Sequence, residues 1–397
     1  MKKLFFGLIC FCSVLSAYSQ GELVVRASGD GKVGLNLSAF KAGSDAASKT
    51  FITVLKADLQ RSGYFTLVES GGQFALSGAG ISSDGRIQVD CVVYKLDTRA
   101  KLMSTRYGPV STEEVRKLAH KVADDMVLKI TGKPGMASAQ IAMVGTRSGR
   151  KELYMADIDG HGMRQLTNDR SIVVGPNWVP SGKAVIYTSY KLGYPNLFAT
   201  GKSDPIAHFG GLNTGGSVSP DGKSMALILS KDGNPELYVM NLKDGSLKRL
   251  TGTKTGNEAS PCWSPDGKSI AFVSDTSGSP KIYVMPAGGG QASRLPTLGT
   301  ECVAPDWGRN GLITFCARIG GSYQIAVVDP RTKSAPRQVS SGSGDWEDPS
   351  WAPDGRHIIC SHTANRRSSI YLLDTLKDSP VALISGSGDW YSPTCTP

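Results

Sequence analysis

Pro261-Cys262-Trp263, followed by SPDGKSIAFVSDTSGSPKIYVMPAGGGQASRLP from Ser264 to Pro296, is one complete unit of a repeat that organises the second half of the chain. The same P-x-W element stands at Pro176-Asn177-Trp178, Pro305-Asp306-Trp307 and Pro349-Ser350-Trp351. Pro393-Thr394-Cys395 is a degenerate copy at the end, and Gly216-Ser217-Val218 is a sixth, recognised by the SPDGKSMALILS that follows it. The third positions fall at 178, 218, 263, 307, 351 and 395, so the spacings are 40, 45, 44, 44 and 44 residues. A fixed period in this range is the mark of a repeat architecture.

Inside a unit, Pro-Asp-Gly supplies a turn, because proline fixes φ and glycine accepts φ > 0. Runs such as IAFVS and KIYVM are β-branched and aromatic, of strand length, and bounded by Gly, Pro, Ser and Asp. Four short strands in about 44 residues make a propeller blade. The repeated tryptophan, on the same strand of each unit, is read as packing one blade on the next. Gln140 to Thr167 supplies three strands without a P-x-W strand, and Tyr391 to Pro397 supplies a P-x-W strand with nothing after it. Joined, they complete a sixth blade and close the ring, which removes unpaired edges.

Residues 20–134 lack the repeat and read as an α/β domain, a small mixed sheet with two helices; residues 135–397 are the six-bladed propeller. Ser48 to Ser62 carries Phe51, Leu55 and Leu59 on one stripe and stops at Gly63. Ser111-Thr112-Glu113-Glu114 has the form of a capping box, opening a helix with Val115, Leu118, Val122 and Met126 on its apolar stripe and Gly132 at its end. Strands are expected at Gly34–Phe40, Tyr64–Val68, Ile87–Leu96 and Ala100–Tyr107.

At the N-terminus, Lys2-Lys3, the apolar run Leu4–Leu15 and Ala17-Tyr18-Ser19 read as a cleaved signal peptide over residues 1–19, hence export to the periplasm. Leu8-Ile9 and Phe11 do not fit a lipid anchor at Cys10 or Cys12. The formal charge of +10 falls to +8 once Lys2 and Lys3 are removed. No block of five cations occurs, so nucleic acid is not an expected partner, while an acidic protein partner fits. The six later cysteines, Cys91, Cys262, Cys302, Cys316, Cys360 and Cys395, sit in or beside apolar runs and read as buried thiols, with Cys262–Cys302 the one pair to check.

No cofactor, metal or catalytic residue is expected. Gly29-Asp30-Gly31-Lys32-Val33-Gly34 matches G-x-G-x-x-G, but the LNLSAF after it alternates like a strand, whereas a dinucleotide site needs a helix there. Asp157-Ile158-Asp159-Gly160 resembles the start of a calcium loop without its later acidic ligands. No nucleophile elbow and no H-E-x-x-H is present. Two other readings stay open: a secreted hydrolase or lyase with its site in the propeller channel, and a carbohydrate-binding propeller.

With the SPDGK blades, the α/β head and the leader, the chain resembles the TolB family of the Tol-Pal envelope system. Ala57–Glu69 (ADLQRSGYFTLVE) and Arg116–Val144 (RKLAHKVADDMVLKITGKPGMASAQIAMV) carry the resemblance in the head and across the junction. It implies a monomeric periplasmic scaffold, not an enzyme, that links the lipoprotein Pal to inner-membrane TolA. Pal would dock at one mouth of the ring, on Asn213, Thr214, Asn257, Glu258, Glu301, Trp346, Glu347, Asp348, Trp390 and Tyr391, in the loops before the P-x-W strands. TolA would take the mature N-terminal segment, Glu22, Leu23, Val24 and Val25. Val218 and Cys395 depart from the family's usual residue at the third position. The loops SGSGDWEDP and SGSGDWYSP place Trp346 and Trp390 outside the strand pattern. They read either as exposed anchors of the kind enriched at interface hot spots or as rings folded back over the blade edge, with Glu258, Glu301, Glu347 and Asp348 giving the mouth a negative rim.

Overall fold

A computed structural model describes residues 31–332, 334–376 and 379–397. The leader, the Glu22–Val25 segment and the start of the G-x-G-x-x-G match lie outside them. In the head, β1 (Val33–Asn36), β2 (Phe40–Lys41), β3 (Phe65–Val68), β4 (Phe74–Ser83), β5 (Arg86–Lys95) and β6 (Lys101–Ser111) form one sheet. Its order is β3-β1-β4-β5-β6, with β2 beside β4. β1 pairs parallel with β3 and β4, while β4, β5 and β6 are antiparallel, so the sheet is mixed as expected. Helices α1 (Ala46–Arg61) and α2 (Val115–Thr131) bury Phe51, Leu55, Leu59, Leu118, Val122 and Met126 against it.

The helix signals hold with local changes. α1 starts at Ala46, two residues before the expected Ser48, because Asp45 caps it by accepting from the Ser48 backbone N–H at 2.9 Å. Ser111 opens a 3-10 turn, Thr112–Glu114, before α2, and its side chain makes no capping bond. Gly132 ends α2 in the left-handed region at φ 70°. β4 was missed because FALSGAGISS is too rich in small residues to read as a strand.

The propeller comprises six sheets among the described residues. Four have four strands, and Trp390–Cys395 pairs antiparallel with Gln140–Gly145 to complete a fifth and close the ring. The sheet opened by Val173–Trp178 has three strands instead of the expected four. This is the unit with the shortest spacing, and beyond its last strand only one bridge forms, Leu197 with Ala207. The P-x-W strands of all six units line one central channel. Each bulges one residue before its proline, or before Gly216 in the second unit, as the register shifts show. Gly175, Gly215, Ser260, Ala304, Asp348 and Ser392 occupy that point with φ between 44° and 69°. A bulge bends and twists the strand there.

The repeated tryptophans pack between blades. Trp178 is buried with Ala142, Leu153 and Met155 of the composite blade, and its Nε1 donates to the Thr394 carbonyl at 3.1 Å. Trp351 packs on Cys316, Ile325 and Val327 of the preceding sheet. The six cysteines are buried free thiols, Cys262 and Cys302 included.

Candidate functional site

All six P-x-W strands run in the same sense through the ring, so its two ends differ. At the end where these strands finish, the head is attached. Gln140–Gly145 starts there, and the Thr396 backbone N–H donates to the Gln140 carbonyl at 2.9 Å. The Arg356 guanidinium lies 4.5 Å over the Tyr64 ring of the head and pairs with Asp374 at 2.5 Å, almost fully buried. Gly63 is required at this contact: its φ is +70°, and a Cβ would come within 2.5 Å of Arg356 Nη2. Asp124 of α2 accepts the backbone N–H groups of Ala137 (2.7 Å) and Ser138 (2.9 Å), which fixes the connecting segment.

The opposite end carries the starts of the P-x-W strands and is not covered by any of the described residues of the head. The register places the turns after the second strands beside these starts, since Val173 faces Ser189, Asn213 faces Leu229, Glu258 faces Ser274, Cys302 faces Ala317, Trp346 faces His362 and Trp390 faces Gly145. The residues singled out for partner contact gather at this end, but several cannot present their side chains. Val173, Asn213, Glu258, Cys302, Trp346 and Trp390 occupy the same position in six blades, three residues before the proline or its equivalent, and all are at most 4% exposed.

The expectation of exposed tryptophans in irregular loops is therefore corrected. Trp346 and Trp390 lie within strands Asp345–Trp351 and Trp390–Cys395. Trp390 meets the Tyr154 ring edge-on at 5.2 Å, and its Nε1 donates to the Gly386 carbonyl at 2.9 Å. Trp346 stacks on His362 at 3.9 Å and meets Tyr371 edge-on, while its Nε1 is buried without a hydrogen-bond partner. Asn213 is likewise internal, its Nδ2 donating to the Phe209 carbonyl at 2.8 Å and its Oδ1 accepting from the Phe209 N–H at 2.8 Å. Thr214 reaches Thr188 Oγ1 at 3.0 Å and is part-buried, as is Tyr391, over whose ring Lys151 Nζ sits at 5.0 Å. Asn257 is exposed, with Asp275 as its partner.

The negative rim is corrected too. Glu258 is 2% exposed, and burial together with the Glu236 carboxylate pushes it up to about 8. Burial, then Asp348 and Asp345, raises Glu347; burial raises Asp348, whose carboxylate accepts from Ser392 Oγ at 2.7 Å. Glu301 remains ionised, held low by the Tyr323 hydroxyl at 2.7 Å, and pairs with Arg318 at 3.3 Å. The exposed charge around them is mostly basic: Arg147, Arg150, Lys151, Lys231, Arg318, Arg366 and Arg367 stand on the turns of this end, with Asp232 an exposed acid among them. Ile172, Leu192 and Tyr194, at 51%, 47% and 39% exposure, add an apolar patch on the same end. The sequence reading missed these residues. Their signal was positional, since they sit on the turns that the repeat brings beside the strand starts.

Within the channel, burial raises Asp306 to about 6, and its Oδ2 accepts from the Trp351 N–H at 2.7 Å. Among the described residues no histidine hydrogen-bonds a serine, threonine or cysteine side chain: His120 and His357 bond aspartates, His208 bonds Tyr194 and Asn196, and His362 bonds the Ser343 carbonyl. No described helix is long and apolar enough to cross a membrane.

These features define a two-domain β-propeller protein with a small α/β head on one end of the ring and, among the described residues, an exposed, basic, partly apolar surface on the other. Residues 127–397 match the family described as the TolB beta propeller domain, and the chain belongs to that family. It is 31% identical over 275 residues to the Protein TolB homolog of Chlorobium chlorochromatii, a match covering 61% of each chain. It is 32% identical over 277 residues to the Tol-Pal system protein TolB of Anaeromyxobacter dehalogenans, covering 63% of this chain and 64% of that one. These matches thus span less than two thirds of the curated relatives. The crystal structure of TolB from Acinetobacter baumannii superposes with a TM-score of 0.83 at 26% identity, over 93% of this chain and 97% of that one.

Proposed function

We propose that this chain is a periplasmic scaffold of the Tol-Pal system that binds proteins and catalyses nothing. In this reading, the open end of its propeller docks Pal, the peptidoglycan-associated lipoprotein, and the N-terminal segment Glu22–Val25 engages inner-membrane TolA. The link would serve outer-membrane integrity and constriction at division, with the chain acting as a monomer. The observation that carries the reading is the contrast between the ends. The head covers one, while the other carries exposed cations, together with exposed Ile172, Leu192 and Tyr194. A surface of this kind suits a partner with an acidic face, which long-range attraction would steer onto the ring. Within the proposed Pal set, Thr214, Asn257, Glu301, Glu347 and Tyr391 would be the side chains that touch a partner, while Asp348, bonded to Ser392, would brace the strand beneath them. Asn213, Glu258, Trp346 and Trp390 would act by shaping the rim from beneath.

The test is site-directed photo-crosslinking in the cell envelope. A crosslinker at Leu192, Asn257 or Arg366 should capture Pal, one at Lys129 on the head should not, and deletion of Glu22–Val25 should abolish TolA capture while leaving Pal crosslinks intact. Pal captured from Lys129 but from none of the three open-end positions would refute the assignment. TolA capture that survives the deletion would refute the N-terminal one.

A further inference from the structure

The Asp157-Ile158-Asp159-Gly160 turn, which as sequence begins like a calcium loop and then lacks ligands, finds its missing donor in the other domain. The turn joins strand Glu152–Asp157 to Arg164–Gln165 of the composite blade, and α2 of the head lies against it. His120 of α2 is 2% exposed. Its Nδ1 is 2.6 Å from Asp58 Oδ2 of α1, so the Asp58 carboxylate fixes the ring's orientation. Its Nε2 has no hydrogen-bond partner and stands 3.9 Å from Asp159 Oδ2. One ligand atom each from His120, Asp157 and Asp159 lies within 4.8 Å of the others. Arg116 Nε beside it is buried without a partner as well, and a buried imidazole nitrogen left unpaired next to two carboxylates calls for an explanation.

We propose that His120, Asp157 and Asp159 bind a divalent transition-metal cation of the zinc type, which clamps the head to the propeller. The donor set decides the class of ion. One imidazole nitrogen and two carboxylates suit zinc, with bonds of roughly 2.0–2.2 Å and water in the remaining position. Calcium would want six to eight oxygens, which the turn does not supply. The Asp58–His120 pair is the outer-shell arrangement that metal-ligating histidines use, a carboxylate holding the far nitrogen. Charge is compatible as well. Three carboxylates, Asp58, Asp157 and Asp159, face two guanidiniums, Arg61 on Asp58 at 2.7 Å and Arg116 on Asp159, so with neutral His120 the cluster is one negative charge in excess. Asp159 Oδ1 accepts from the His161 N–H at 3.0 Å and Asp157 Oδ1 from Gln140 Nε2 at 3.3 Å, which leaves acceptor capacity on both. Asp157 and Gly160 are part-buried and the Asp159 side chain keeps 8% exposure, so the site lies just beneath the surface. To close on zinc, the donors, now within 4.8 Å of one another, must draw in to the roughly 3.3–3.5 Å edge of a tetrahedron with such bonds.

The experiment uses the full mature chain stripped with chelator. Zinc is titrated by calorimetry, thermal melting is recorded with and without it, and cobalt(II) serves as a spectroscopic stand-in. One zinc per chain should bind and raise Tm, and cobalt should give the absorption of a low-coordinate nitrogen/oxygen site. Asp157→Asn is the decisive variant, because it leaves the Asp58–His120 and Arg116–Asp159 pairs in place. It should fold like the parent without metal and bind zinc at least tenfold more weakly, with the Tm rise lost; His120→Gln should do the same. Absence of stoichiometric binding in the folded parent would overturn the site. So would zinc affinity unchanged in Asp157→Asn, which would put the metal on surface histidines elsewhere.

Discussion

At the two ends of each P-x-W strand the same residue type meets different fates. Trp178, Trp263, Trp307 and Trp351 close their strands toward the head and pack on the preceding blade; Trp346 and Trp390 open theirs toward the free end. Both sets are largely buried, and the surface between them is what differs. Where the head sits, Arg356–Asp374 and His357–Asp354 at 2.6 Å are internal pairs, and the exposed charges on the turns of that end, such as Asp221, Lys223, Asp266 and Lys268, are of both signs. Toward the free end, the acids are buried or paired while the cations face solvent. A closed ring thus keeps its packing uniform and its surface chemistry polarised, with apolar burial in the inner strands and exposed, mostly basic charge on the turns of the free end.

The most severe way to break this arrangement is to open the ring. Deleting Tyr391–Pro397 removes most of the strand paired with Gln140–Gly145 and exposes two ladders. The truncated chain should lose its cooperative melting transition or aggregate. A melt like that of the full chain would mean the ring does not depend on its last strand.

Next come the two tryptophans of the free end. Trp390→Ala should cost about 3–5 kcal/mol, the usual price of removing a fully buried large aromatic, and Trp346→Ala a similar amount, read from denaturant unfolding. The two should separate in a milder variant. Trp390→Phe forfeits the bond to Gly386, whereas Trp346→Phe removes a buried N–H that has no partner, so Trp346→Phe should be the less damaging. Losses below about 1 kcal/mol for both alanine variants would return these side chains to solvent.

Much of the fold was legible in the sequence because a 44-residue period and its punctuation survive in six copies. The free end was not, for a specific reason. SGSGDW reads as turn chemistry, and an aromatic next to glycine and aspartate looks exposed when each loop is read alone. Aligned backward from the prolines, the same position holds Val173 and Cys302, two residues suited to burial, and that comparison would have placed Trp346 and Trp390 inside. Glu258 and Asn213 hid the pattern, because a polar residue there is tolerated only with partners that other parts of the blade supply. The acids misled in the same way. Sequence counts their charge, while their ionisation depends on burial.

Glu258 gives a smaller, pH-dependent effect. Its folded-state pKa, near 8, lies above the ordinary value, so the native state holds this proton more tightly than the unfolded chain. The stability it confers is fully present below the unfolded value of about 4.3 and is lost as pH climbs through the folded value. Between pH 6 and pH 9 the parent should therefore lose stability relative to Glu258→Gln, which cannot ionise. Parallel denaturant curves at the two pH values check this, and an unchanged difference would mean that Glu258 ionises freely at the rim.

The smallest effect on stability and the largest on binding should come from the exposed cations. Reversing Lys151, Arg366 and Arg367 to glutamate should change unfolding by no more than about 0.5 kcal/mol per site, as for surface substitutions generally. The central claim, that this basic end is the docking surface, is tested by titrating the parent and this triple variant with the soluble periplasmic domain of Pal at low and at physiological salt. The account predicts at least tenfold weaker binding of the variant at low salt, carried mainly by a slower association rate, with the gap narrowing as salt screens the charges. Equal affinity of the two proteins at both salt concentrations, with both folded, would contradict it.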